Sequence, residues 1–227
     1  MLKLWKRDFI STRSGGYLWA MLLYFGLLSL NRAMGLGGLH TLAVLYACVF
    51  ALVPLIRDEY MFRHQLMQSL PTRRGMLALH RYIFTWTVAF GLTAVLLLYV
   101  DLLVDLWPRP GMVPLSPQLL LLTAVVISLI IGCVVPPVLR LGLVWGLLAG
   151  STLLAALHLM LFACVRHGYG TEPLLAQLDG FGLYSRWLAW LESMWRPPVV
   201  TALLLALLLW NALAAALAVY GYSKREV

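Results

Sequence analysis

Residues 57–81 read RDEYMFRHQLMQSLPTRRGMLALHR, and they interrupt a chain that is otherwise largely apolar. Arg57, Arg63, Arg73, Arg74 and Arg81 supply five of the seventeen basic residues in this one interval. Tyr60, Phe62, Leu66, Met67 and Leu70 recur mostly at three- and four-residue steps, which predicts a short helix over 60–68. Pro71 stops it, because its ring removes a backbone donor and clashes with the preceding turn. Thr72 is placed to cap a second helix that continues into the next apolar run. A helix–break–helix held between apolar runs has the shape of a surface that another protein touches. The rest of the chain reads as the membrane part such a touch would move.

Composition supports that division. Of 227 residues, 62% are hydrophobic and 11% charged, far below the roughly 25% charged of a soluble domain. One soluble core could not hide that much apolar surface, so an all-α, polytopic integral membrane protein is expected. The formal charge of +8 is spread over short segments between apolar runs, where it sets orientation in a bilayer. No basic stripe with interleaved aromatics is present, and no nucleic-acid partner is expected. Cys48, Cys133 and Cys164 all fall inside apolar runs without a CxxC partner and read as buried small hydrophobes. Residues 1–13 are too polar for a cleavable signal peptide.

In chain order, residues 1–16 open with Lys3, Lys6, Arg7 and Arg13 around an apolar face of Leu2, Trp5, Phe9 and Ile10. That pattern predicts an amphipathic helix lying among the headgroups of an anionic membrane lipid leaflet. Six apolar runs follow, near 17–30, 39–56, 82–104, 118–135, 142–165 and 199–222. The first two are short of the about twenty residues a bilayer needs and are expected to extend through their flanks. Gly35, Gly37 and Gly38 turn the chain between the first two. Pro54 is placed to kink the second run; Pro136 and Pro137 are read as ending the fourth, with a very short link containing Arg140 before the fifth. Pro197 and Pro198 open the sixth, where a missing donor costs least.

Charge then fixes the orientation. With both termini inside, the inner segments collect Lys3, Lys6, Arg7, Arg13, Arg57, Arg63, Arg73, Arg74, Arg81, Arg140, Lys224 and Arg225, twelve of the seventeen cations. The outer Arg32, Arg109, Arg166, Arg186 and Arg196 are matched by Asp101, Asp105, Glu172, Asp179 and Glu192. Six spans with both ends in the cytoplasm follow from the positive-inside rule. The outer segment 166–198 aligns Phe181, Tyr184, Trp187, Leu188, Leu191 and Trp195 on one helical stripe. This is expected to be an interfacial anchor, with roofing of a cavity or contact with cargo as alternatives.

Catalytic chemistry is thin. His40, His64, His80, His158 and His167 lack metal-ligand spacing, and no HExxH occurs. Ser151 and His158 share a helix face two turns apart, too far for proton transfer. The deep polar residues are few, His158 and Asn211, with Asp101 near the outer end of the third run; an ion-coupled transporter would need a relay. A Walker A loop is impossible, since the only lysines are Lys3, Lys6 and Lys224 and none follows a glycine-rich loop. No nucleotide, metal or other cofactor site is expected in this chain. If the protein is a pump, its ATPase is a separate polypeptide.

The interval 57–81 resembles the corresponding region of the permease subunits of bacterial ABC-2 type exporters. The resemblance rests on Glu59 just after the second run, a short helix over 60–68, and the break Ser69-Leu70-Pro71-Thr72-Arg73-Arg74 leading into the third run. It covers about a tenth of the chain; the rest matches in architecture. Many members carry a lysine near the start of the third span, where this chain has His80 and Arg81. The resemblance implies a cytoplasmic coupling helix docking into a groove of a separate ABC ATPase, two copies of each subunit per transporter. ATP and Mg would be bound by that partner, and the second permease would be the same or a related chain. Phe62, Leu66 and Met67 would enter the groove and Arg63, Arg73 and Arg74 would meet acidic residues at its rim, with Glu59, Leu70 and Pro71 also among the ATPase-coupling residues. Small members similar to this chain include exporters of phenol-soluble modulins and antimicrobial peptides, which implies an amphipathic or hydrophobic cargo and a bacterial plasma membrane. Two alternatives stay open: a non-catalytic membrane partner such as an immunity or assembly factor, and a secondary transporter.

Overall fold

A computed structural model describes residues 22–30, 39–60, 74–106, 115–166 and 195–224. Among them every regular element is a helix and no strand occurs. The helices are α1 (22–30), α2 (Leu39–Tyr60), α3 (Arg74–Leu106), α4 (Pro117–Leu141), α5 (Leu143–Arg166) and α6 (Pro197–Ser223). By length and composition α3, α4 and α6 are long and apolar enough to cross a membrane, while the apolar stretches of α2 and α5 are shorter. The amphipathic N-terminal segment and nearly all of the outer segment 166–198 lie outside the described residues.

α4 is the axis of the bundle. Of its most apolar stretch 78% is buried, against 39% for α3 and 11% for α6. The main core joins Leu55 of α2, Ala78 of α3, Ile131 and Val138 of α4 and Ala218 of α6. A second core, Leu28, Ala43, Leu96 and Val100, binds α1 to α2 and α3. The outward faces stay apolar, with Leu205, Leu208 and Leu209 of α6 and Val144 and Trp145 of α5 exposed. A bundle that is apolar both inside and out is compatible with a membrane protein, because lipid rather than water then meets the outer leucines.

α3 begins at Arg74, ahead of the apolar run near 82–104, and its 33 residues reach about 50 Å at 1.5 Å each, against about 30 Å of hydrocarbon. The two extra turns carry Arg74, His80 and Arg81. One boundary differs from the sequence expectation. Pro136 and Pro137 do not end α4: they lie inside it, and the helix runs on to Leu141. Proline removes a donor but suits helical φ, so the cost falls on the carbonyls of Gly132 and Cys133 one turn back. A Cβ on Gly150 of α5 would stand 2.9 Å from the Cys133 carbonyl oxygen, so an Hα of Gly150 points at it, a weak Cα–H···O contact. The real stop is Gly142, whose φ of 82° admits only glycine comfortably and whose N–H donates to the Val138 carbonyl at 3.0 Å.

That stop folds α5 back along α4 at very short range. A Cβ on Gly146 would lie 2.3 Å from Val138 Cα, and one on Gly150 2.9 Å from Val134 Cα. Small residues permit such approach, which is how apolar helices gain packing where lipid offers no hydrophobic drive. α6 lies on roughly the opposite side of α4, where Gly132 receives the indole of Trp210. At the other end, Ser116 caps α4 by accepting from Leu119 N–H, and Pro197 and Pro198 start α6 as expected. Asp101 of α3 accepts the Leu115 N–H at 3.3 Å, joining α3 to the approach to α4.

Candidate functional site

The carboxyl ends of α2, α4 and α6 and the amino end of α3 meet at one end of the bundle. Leu52 and Leu55, Leu77 and Ala78, Val138 and Leu139, and Tyr222 form its apolar floor. Gly75 at the start of α3 sits against Val219, where a Cβ would meet Cγ1 at 3.0 Å. Gly221 similarly lies under the aliphatic stem of Arg140. Five cationic side chains gather here: Arg57, Arg74, Arg81, Arg140 and Lys224. Among the described side chains the opposite end offers Arg196, with Asp101 and Asp105.

The chain leaves this end at Tyr60 and returns to it at Arg74. Of the residues singled out in sequence, Arg74 is the first residue of α3 and is exposed; Glu59 lies in the last turn of α2, its side chain outside the described set. Phe62, Arg63, Leu66, Met67, Leu70, Pro71 and Arg73 lie outside the described residues. His80 and Arg81, read in sequence as part of the polar interval, are instead buried, with exposures of 0% and 6%. Their phase carries the signal: Leu77, Arg81 and Thr85 recur every fourth residue, so Arg81 falls on the stripe that faces the core.

Above this end lies a polar centre of neutral groups. Tyr82 donates its hydroxyl to Asn211 Oδ1 at 2.9 Å. Asn211 Nδ2 donates to Ser128 Oγ at 3.0 Å and to the Leu207 carbonyl at 2.8 Å. Trp86 Nε1 donates to the same Ser128 oxygen at 3.2 Å, and Trp210 Nε1 to the Ser128 carbonyl at 2.9 Å. One serine thus receives groups from both α3 and α6. Gly132 is what lets Trp210 approach, since a Cβ there would stand 2.5 Å from the indole nitrogen. Sequence reading found Asn211 but missed Tyr82, Trp86, Ser128 and Trp210, because a serine, a tyrosine and tryptophans in apolar runs carry no charge to mark them. Built from neutral side chains, the centre ties three helices together.

Ser29 Oγ and Tyr99 Oη share a 2.6 Å hydrogen bond between α1 and α3. Ser151 is exposed and donates to the Leu148 carbonyl of its own helix; the His158 side chain lies outside the described set. Cys48 and Cys133 are buried free thiols. Among the described residues no group of three or more His, Cys, Asp or Glu could hold a metal. No family model, curated protein or solved structure matches this chain.

Proposed function

We propose that this chain is the transmembrane permease subunit of an ATP-driven ABC-2 type exporter. In this proposal α1 to α6 are six spans of a bacterial plasma membrane, both termini are cytoplasmic, and the basic end faces the cytoplasm. The observation that supports the proposal is that α2 ends at Tyr60 and α3 begins at Arg74 at the same cationic end of the bundle. α2 and α3 both open onto 61–73 at the cationic end, so a contact made there acts on the two helices at once. Phe62, Leu66 and Met67 would dock into a groove of a separate ATPase, and Arg63, Arg73 and Arg74 would meet acidic residues around it.

Force applied at Arg74 would be carried by α3, whose 33 residues form one continuous helix. Tyr82 and Trp86 connect the foot of that helix to α4 and α6 through Ser128 and Asn211. ATP-driven closure of two ATPases would in this way tilt the spans of two permease chains against each other. The cargo best suited to apolar walls with few fixed charges is amphipathic or hydrophobic, such as membrane-active peptides. Proteoliposomes holding the permease and its co-purified ATPase test this: uptake of such a peptide should require hydrolysable ATP. Uptake driven by an ion gradient without ATP would replace the proposal with secondary transport, and an inert permease that still binds another membrane protein would replace it with a non-catalytic partner.

A further inference from the structure

We propose that Arg140 and Lys224 hold the headgroup of an anionic phospholipid at the seam between the ends of α4 and α6. The seam is built by Gly221: a Cβ there would lie 3.0 Å from Arg140 Cβ and 3.4 Å from its Cγ and Cδ, so the stem of Arg140 lies flat across α6. Lys224 follows Gly221 by three residues, and its N–H donates to the Tyr220 carbonyl at 3.3 Å. Both cations are exposed, and no ion pair involves either of them among the described residues.

Depth identifies the occupant. Gly146 meets Val138 and Gly150 meets Val134 across the α4–α5 turn, which places Trp145 level with Leu139 and Arg140. Trp145 is 70% exposed and Tyr220 57% exposed, and exposed Trp and Tyr on membrane helices mark the headgroup boundary. The leucines of α6 beyond Tyr220, Leu217 and Leu213, are exposed and apolar, a surface for acyl chains. Two cations at headgroup depth above an apolar face complement a phosphodiester carrying two tails. The helix ends beneath them do not cancel the charge: each contributes roughly half a negative unit, against two full positive charges.

This site depends on the basic end lying at a membrane surface and not on the exporter assignment, so it is tested without any ATPase. The whole permease, purified gently, is titrated with phosphatidylglycerol and separately with phosphatidylcholine, and retained lipid is counted by native mass spectrometry. The wild-type chain should retain phosphatidylglycerol at least about tenfold more tightly than phosphatidylcholine. Arg140→Gln with Lys224→Gln should remove most of that preference, because glutamine keeps an aliphatic stem over Gly221 and loses the charge. Arg196→Gln, at the opposite end, should leave it intact. Equal retention of the two lipids by the wild type, or an unchanged preference in the double variant, would overturn the site. If the double variant does not fold, Arg140→Gln and Lys224→Gln made singly should each weaken the preference, and an unchanged preference in both would overturn the site.

Discussion

At the scale of single residues, Ser128 and Asn211 matter most for how the helices are joined. Interhelical hydrogen bonds in membranes average about 0.6 kcal/mol and reach about 1.7. Asn211→Leu removes the bonds to Tyr82 and Ser128 together, so it should lower stability by about 1–3 kcal/mol. Unfolding of the detergent-solubilised chain by a denaturing detergent would measure that loss. A cycle with Tyr82→Phe separates the pair energy from side-chain bulk: the two changes should be less than additive, because each breaks the same 2.9 Å bond. Strict additivity would mean that the bond contributes nothing. Arg81 makes a complementary point. In sequence it belongs with Arg73 and Arg74, and charge alone assigns all three to one polar segment. Burial sorts them: Arg74 is exposed as the first residue of α3, whereas Arg81 turns inward seven residues later.

At the scale of elements, the α4–α5 turn depends on residues without side chains. Gly146 and Gly150 let two helix backbones approach within ordinary side-chain reach. Gly146→Ala would put a methyl 2.3 Å from Val138 Cα, which only backbone movement relieves. It should cost about 1–3 kcal/mol as overpacking, whereas Gly91→Ala, with nothing within 4 Å of its Cβ, should be nearly neutral or slightly stabilising. Paired thermal-shift measurements on these variants check the contrast. The existence of long apolar helices was legible in the runs of the sequence, as were the prolines that open α6. The end of α4 was not. A Pro-Pro pair reads as a stop by its missing donors, yet Gly142 is the stop, since a left-handed turn needs glycine more than a helix needs every hydrogen bond. Interhelical hydrogen bonds were equally hidden: Ser128 meets Asn211 across 83 residues of chain, and no local pattern reports such a meeting.

For the whole molecule, orientation and coupling are the claims that matter. Residues 57–81 were legible as an interval distinct from the apolar runs, and the structure brings its two flanks to one cationic end. The docking residues between those flanks rest on sequence pattern. In a chain freed of its three cysteines, a cysteine placed at Arg225 should react with an impermeant thiol reagent only after cells are opened. One placed at Arg109 should react in intact cells. The reverse pattern would invert the bundle, and with it the cytoplasmic placement of 57–81. Leu66→Asp then tests coupling itself, because a carboxylate on the proposed docking face would have to enter an apolar groove unpaired. The direct measurement is a mild-detergent pull-down of the tagged chain from its native membrane, wild type beside Leu66→Asp, with co-purifying proteins weighed and identified by mass spectrometry. A soluble ATPase recovered in equal numbers with the wild type and lost from the variant is the predicted result. A wild-type chain that brings down no ATPase would contradict the exporter account and leave residues 57–81 as a loop that only orients the bundle.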